Sequence, residues 1–359
     1  MAAHSRRSRS QRHQVHDPQA SQRFRTGRPF SQSLTNPWGN GAAQEELSEQ
    51  VQEANGSDVV AEQVEEAPSQ VAAEAEVPSS DEHTVAKQTP AADAGDGTWT
   101  EAPSKQDVVA GNGVVSLGAQ GPIVSEVQQT LTQMGFGIAQ TGKLGPTTSQ
   151  VIKDFQAAYG VETTGIIGPT TLEMLNRASQ ASVSLQDLRQ IVPQLDPSRA
   201  KAMLQYINAS MYMADISSDA RKAAYLAQLA HETDGFNTLE EYASGADYEG
   251  RRDLGNTQSG DGRRYKGRGA IQLTGRANYA RVDQILGTDL IENPELAATN
   301  EYGFKIAAVY WKDHELNDLA DRGDFEGITD VINYYDPERL RQKRRSYHAR
   351  ARATLQDGQ

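Results

Sequence analysis

The amino-acid sequence predicts a mainly α protein, two compact helical modules behind a long unfolded tether. Three observations carry this expectation. A short Gly-x-x-Gly-Pro-Thr-Thr turn occurs twice, and each copy leads into apolar residues at helical spacing. A separate run, RKAAYLAQLAHE, follows a cluster of helix-capping residues. Charge is also unevenly divided: of a net −13 over 359 residues, residues 1–40 hold seven Arg against Asp17 (+6), and residues 41–110 hold sixteen acids against Lys87 and Lys105 (−14), leaving −5 on the rest.

The tether comes first. Residues 1–112 read as an Arg-rich head followed by an acidic linker of Glu, Ala, Gln, Ser, Val and Pro, with Trp99 as the one aromatic of the linker. Such a stretch cannot bury enough apolar surface to offset the roughly 1–2 kcal/mol per residue that backbone ordering costs. The head has no recognisable fold and its acidic neighbour would compete for it, so nucleic acid is not an expected partner; a solvated tail, or a signal read by a delivery apparatus, remains. The start, MAAHSRRSRSQRHQ, has no apolar core behind it and is not expected to act as a secretory signal. The expectation is synthesis in the cytosol, with action on a cell wall, in the periplasm or outside the cell by a route independent of a signal peptide. No run approaches the roughly 18 apolar residues that span a bilayer. The absence of Cys excludes disulfides, a thiol nucleophile and Cys-based metal sites.

Order is expected from near Val114. Gly142-Lys-Leu-Gly-Pro-Thr-Thr148 recurs as Gly165-Ile-Ile-Gly-Pro-Thr-Thr171. Gly suits positive-φ turns, Pro a first helical position, and Thr a helix cap. Apolar residues follow at helical spacing: Ile123, Val127, Leu131 and Met134; Val151, Ile152, Phe155 and Ala158; then Leu172 and Leu175 in a short third helix. The runs VSEVQQTLTQMGF, TGKLGPTTSQVIKDFQAAYGV and TGIIGPTTLEML resemble the type 1 peptidoglycan-binding domain. That resemblance implies a three-helix wall-binding module over residues 113–179.

A Ser/Ala/Gln connector, Ser179 to Ser184, leads to a second region, residues 184–355. Ser217, Ser218 and Asp219 offer an N-cap for the helix that ends at His231-Glu232-Thr233-Asp234-Gly235. A carboxylate at a helix C-terminus meets the negative end of the dipole, which raises its pKa, as a general acid requires. Nine residues on stands Glu241. On an unbroken helix that step rotates about 900°, half a turn out of phase, so both carboxylates face one cleft only if Gly235 breaks the helix. Paired carboxylates, one neutral and one charged, are the machinery of glycoside hydrolysis. The segment Tyr265-Lys-Gly-Arg-Gly-Ala-Ile-Gln-Leu-Thr-Gly-Arg-Ala-Asn-Tyr279 adds close-approach glycines, neutral hydrogen-bonding groups and rings suited to sugars. It lacks the Gly-Lys-Ser/Thr ending of a phosphate loop.

AQLAHETDGFNTLEE and YKGRGAIQLTGRANY, continued by NPELAATNEYGFKIAAVYWKDHELNDLADRGDFEGITDVIN, resemble glycoside hydrolase family 19, the chitinases and endolysins. The resemblance implies an α-rich, two-lobed, lysozyme-like catalytic domain. It further implies Glu232 as general acid, Glu241 as the base that activates water, and Thr274 as the hydroxyl that helps hold that water. Gln272, Asn278 and Asn333 match sugar contacts, and Tyr265 and Arg268 are added as substrate-binding residues. Glu240 and Asp247 stay open as alternatives for the base. The mechanism implied is inverting, with carboxylates about 6.5–9.5 Å apart. One departure is plain: where the family has Ile-x-x-Ile-Asn-Gly-Gly, this chain has Ile328-Thr-Asp-Val-Ile-Asn333-Tyr334-Tyr335. The two tyrosines either stack on sugar or fill core.

His231, His314 and His348 are widely spaced, and HETDG lacks the second His of a zinc-peptidase HExxH, so no metal or other cofactor is expected. Trp311, with Phe304 and Ala308, reads as a core stripe. Arg339, Arg341, Lys343, Arg344 and Arg345 read either as a solvated helix face or as a patch that steers an anionic glycan. The expected activity is hydrolysis of β-1,4 bonds in peptidoglycan strands by a monomer. A chitinase and a non-catalytic wall-binding protein are the alternatives.

Overall fold

The computed structural model describes residues 98–356, which are helix-rich as expected. The Arg-rich head and nearly all of the acidic linker lie outside the described residues. The last part of the expected tether does not: Thr100–Glu101 forms a short strand, β1, and Lys105–Val109 a helix, α1. β1 pairs in parallel with β2, Ala119–Gln120, and Val108 of α1 is fully buried. Order thus starts before Val114, because Val108 completes the first core and the Trp99 ring takes the Lys143 ammonium 5.1 Å from its centroid.

Three helices follow, α2 (Pro122–Gln133), α3 (Pro146–Ala158) and α4 (Pro169–Ala181), each with Gly as N-cap and Pro in its first turn. The threonines of the repeated turn do not cap these helices. A buried glutamine on the preceding helix gathers each turn instead. Gln128 Nε2 donates to Lys143 O and Thr148 Oγ1, both at 3.0 Å, while its Oε1 accepts from Gly142 N at 2.8 Å. Gln156 does the same for the second copy, donating to Ile166 O and Thr171 Oγ1 at 3.1 Å and accepting from Thr164 N and Gly165 N at 2.8 Å. Gly142 and Gly165 are left-handed (φ 69° and 72°), which presents their N–H groups to the amide.

The expected connector is not a free linker. Helix α4 runs through Ser179 to Ala181, and Val183 is buried in the second core. That core is built on α5 (Leu185–Ile191), α6 (Pro197–Met213), α7 (Asp219–Glu232), α8 (Asp261–Arg264), α9 (Arg276–Leu286), α10 (Asn300–Asp313), α11 (Leu316–Asp321), α12 (Phe325–Asn333) and α13 (Glu338–Gln356). Helix α7, capped by Ser218, is buried on every side from Lys222 to Glu232. Its alanines let α13 run close alongside it. Trp311 lies in the core, edge-on to Tyr225 at 5.1 Å.

The two cores lie in one compact unit, joined through α6. Ala209 and Tyr212 of α6 pack on the first core, with the Tyr212 ring 5.1 Å from Tyr159. Buried Asn208 donates to Met134 O and Val183 O at 3.0 Å and accepts from Val183 N at 2.9 Å. A Cβ on Gly135 would stand 2.6 Å from Gln205 N, so that approach of α6 needs glycine. Replacing Asn208 by Leu leaves three buried backbone groups without partners. At about 1–3 kcal/mol for an unsatisfied buried group, a stability loss of at least that size is expected from urea unfolding.

Candidate active site

Glu232 is the last residue of α7, and the chain reverses just after it through three left-handed residues, Asp234, Gly235 and Phe236 (φ 48°, 70° and 64°). Thr233 braces the turn, its hydroxyl donating to Leu229 O at 2.6 Å and accepting from Phe236 N at 2.9 Å. A Cβ at Gly235 would meet Gln194 Nε2 at 2.8 Å. The returning segment then docks on the glycine-rich segment: Gly269 N donates to Leu239 O at 2.7 Å and Glu241 N to Gly267 O at 3.0 Å. The break expected at Gly235 is therefore present, and Glu241 sits on a loop fastened by backbone bonds.

Each carboxylate has its own surroundings. Glu232 Oε1 accepts from Arg344 Nη2 at 2.5 Å inside a wholly buried network. The same guanidinium donates from Nη1 to Gln228 Oε1 and from Nε to Asp336 Oδ2, both at 2.6 Å. Asn333 Nδ2 holds the other oxygen of Asp336 at 2.7 Å, and His231 Nε2 lies 3.8 Å from Asp336 Oδ2. Burial pushes the Glu232 carboxyl above its ordinary range; Arg344 opposes this, and the Asp336 charge adds to the rise. Burial, with Arg344 and Lys343 nearby, holds His231 well below its usual pKa.

Glu241 Oε1 accepts from Gly267 N at 2.8 Å and Oε2 from Tyr248 OH at 3.0 Å. Its pKa is also raised by burial, but every other influence favours the ionised form: the Gly267 amide, the Tyr248 hydroxyl, and the charges of Lys266 and Arg268. A Cβ at Gly267 would stand 2.8 Å from Gln272 Oε1 and 3.3 Å from the Glu241 carboxyl. Glu241 and Gln272 thus converge on the space that this glycine leaves. Gln272 is itself left-handed (φ 56°), at the tip of a turn closed by the Arg268–Leu273 pair, and donates to Gly269 O at 3.1 Å. Thr274 Oγ1 donates to Gln272 O at 2.9 Å, and Asn278 Nδ2 to Thr274 O at 2.7 Å.

The candidates therefore fall into two clusters, Glu232 with Asn333, and Glu241 with Gln272, Thr274 and Asn278. Two candidates lie beneath the site and not in it. Tyr265 is fully buried, its hydroxyl donating to Ile291 O at 3.1 Å and its ring covered by the Arg276 guanidinium at 4.7 Å, so it has no face to offer a sugar. Arg268 is buried as well, bonded to Glu240 Oε1 (2.9 Å), Arg264 O (2.9 Å) and Tyr279 OH (3.2 Å), and so serves the loop and not a ligand. Glu240 is occupied by Arg268 and by Lys266 at 3.2 Å, and Asp247 is exposed in a short 3₁₀ turn. Tyr334 and Tyr335 are exposed, which excludes the core alternative.

Sequence reasoning missed Arg344, Asp336 and Tyr248. Arg344 was readable: Leu340, Arg344, Tyr347 and Ala351 recur at helical spacing, and all four are buried, so the arginine falls on the apolar face of α13 and not on the solvated face expected of its cluster. Its neighbours do fit that face, Arg345 pairing with Glu326 and Glu338, and Arg341 with Asp330.

Removing one partner from a buried ion network costs about 3–5 kcal/mol, so Arg344→Met is expected to unfold at markedly lower urea than the parent chain. Gly267→Ala is expected to keep the fold and lose at least about tenfold in kcat/KM, since the added methyl displaces Gln272 and Glu241 together. Circular dichroism and a turnover assay on the same sample separate the two effects.

The family model described as a peptidoglycan binding domain matches residues 120–175, and the one described as chitinase class I matches residues 204–320. A glycosyl hydrolase family 19 domain-containing protein of Haemophilus influenzae is 32% identical, covering 38% of this chain and 82% of that protein. An acidic 27 kDa endochitinase of Solanum lycopersicum is 41% identical, but over 25% of this chain and 35% of its own length. Among solved structures, chitinase C of Streptomyces griseus aligns over 48% of this chain and 76% of its own at 24% identity and a TM-score of 0.39. A class IV chitinase of Zea mays aligns over 47% and 90% at 21% identity, also at 0.39. With the Haemophilus relative matched over most of its length, and with buried carboxylates on the helix end and the loop where the family's motifs lie, the chain belongs to glycosyl hydrolase family 19 and is a glycoside hydrolase.

Proposed function

We propose that this enzyme cleaves β-1,4 bonds of peptidoglycan glycan strands by an inverting mechanism, with Glu232 as general acid and Glu241 as general base. The choice of peptidoglycan over chitin rests on one observation, the peptidoglycan-binding-domain match at residues 120–175. Asn208 and Tyr212 seat that module directly on helix α6 of the catalytic domain, so wall bound by the module is held at high local concentration for that domain.

The roles follow from the surroundings. Glu232 is the more deeply buried carboxyl and has a second carboxylate, Asp336, within its network; both favour a retained proton. Arg344 engages Oε1 and fixes the carboxyl's orientation, leaving the proton for delivery on Oε2. Glu241 accepts an amide and a phenol hydrogen bond, which suits a carboxylate that takes a proton from water. The Thr274 hydroxyl, oriented by its bond to Gln272 O, helps hold that water. As the proton passes from Glu232 to the glycosidic oxygen, the bond from that oxygen to C1 breaks. Water adds to C1 from the opposite face and gives its proton to Glu241, so the new anomeric centre is inverted.

Glu232→Gln is expected to abolish lysis of purified sacculi while sedimentation with sacculi is unchanged; full lysis by that variant would remove Glu232 from the acid role. Tyr248→Phe deletes a bond that favours the Glu241 carboxylate, so the pKa rises further and the acid limb of the kcat/KM profile moves to higher pH. The alkaline limb, set by Glu232, stays in place. An acid limb that does not move would put the base elsewhere. Borohydride reduction and mass spectrometry of digested sacculi then identify the sugar at the new reducing end; products from chitin alone, with intact sacculi, would favour a chitinase.

A further inference from the structure

Among the described residues, three aromatic side chains are exposed: Tyr242 (56%), Tyr334 (63%) and Tyr335 (54%). They are not scattered. Tyr242 follows Glu241 directly, and Tyr334 and Tyr335 lie between Asn333 and Asp336, the pair that holds Arg344 against Glu232. Elsewhere in the described chain the large rings are buried or half-buried.

Tyr334 and Tyr335 are fastened at the backbone and bare at the ring. Tyr335 N donates to Asn333 Oδ1 at 3.3 Å, and Tyr334 O accepts from Arg341 Nη2 at 2.8 Å. Arg341 is held in turn by Asp330 at 2.7 Å. The two rings meet edge to face, 5.4 Å apart at 86°, so each braces the other and their outward faces stay open. The contact between the two rings narrows the rotamers open to each, which lowers the entropy cost of taking up a flat apolar ligand. A pyranose presents such a face through its axial C–H groups, with hydroxyl and acetamido groups around the edge that suit a phenol.

We propose that Tyr334 and Tyr335 form a stacking subsite for an N-acetylhexosamine ring of the glycan strand. The subsite adjoins the acid's network through Asn333 and Asp336 and sets specificity on that side of the cleft. It stands where Ile328-Thr-Asp-Val-Ile-Asn333 runs into two tyrosines. It rests on the reading of the enzyme as a glycan-strand hydrolase but does not require peptidoglycan over chitin, since both polymers contain the ring it takes.

The test measures KM and kcat of the full chain on soluble N-acetylglucosamine hexamer and on purified sacculi, together with calorimetric binding of the hexamer to the Glu232→Gln protein. Tyr334→Ala and Tyr335→Ala are each expected to raise KM, and to weaken hexamer binding, by about 2- to 12-fold with kcat little changed. Tyr→Phe at either position should restore most of the loss. Ile285→Ala, which trims exposed apolar surface on α9, should change nothing. Unchanged KM and binding in both alanine variants would overturn the subsite, as would failure of the Glu232→Gln protein to bind hexamer at all. So would sedimentation showing that the tyrosines instead join two copies of the chain. Loss of binding by the variants in an enzyme that leaves sacculi intact would keep the subsite and discard peptidoglycan as the substrate.

Discussion

The buried guanidinium of Arg344 is the interaction on which the rest of the catalytic domain depends. It ties α7 to α13 through Gln228 and Glu232 and ties both helices to the end of α12 through Asp336 and Asn333. Removing one arginine and two carboxylates from water is expensive, and their mutual attraction offsets that cost only with good geometry and further hydrogen bonds. Here Nε, Nη1 and Nη2 each reach a different acceptor. Such a network is weak evidence for stability in itself. It does impose one arrangement of the three helix segments, and the position of the Glu232 carboxyl is part of that arrangement.

The second carboxylate is held by different means. Glu241 stands on a loop whose place is set by backbone bonds to Gly267 and Gly269, with the side chain fixed by an amide and a phenol. Glycine at 267 is demanded by the space that Gln272 and Glu241 share, not by its backbone angles. One carboxyl is thus buried against an arginine and a second acid at a helix end, the other set among donors at a loop. Burial raises the pKa of both, and the groups that oppose the rise differ: an arginine at Glu232, an amide, a phenol and two cations at Glu241.

In the smaller module the repeated turn motif is organised by two glutamines that do not occupy equivalent places in the repeat: Gln128 lies fourteen residues before Gly142, and Gln156 nine before Gly165. Each amide meets the same need, since a tight turn leaves inward-facing N–H and C=O groups that must find partners when buried. Asn208 serves the same purpose at the seam between the cores. The last residues of the span that looked like a tether, and the connector after α4, proved to be structured because burial of Val108 and Val183 compensates for their polar composition.

Local pattern was enough to find the helices, the repeated turns, the break at Gly235, the core placement of Trp311 and both buried carboxylates, because helical periodicity, Gly and Pro geometry and capping act over a few residues. It was not enough for Tyr265 and Arg268, which have the composition of sugar contacts but lie under Arg276 and Glu240. Nor did it separate Arg344 from its charged neighbours, although the spacing from Leu340 to Ala351 held that information. Which face of a motif meets solvent depends on segments far away in the chain: 112 residues separate Arg344 from Glu232, and 153 separate Tyr347 from Gln194. The chemistry available to this protein was determined by its sequence alone. The protonation tendency of each acid and the exposure of each ring were decided only in the tertiary structure, because both depend on what the fold brings near and how much water it excludes.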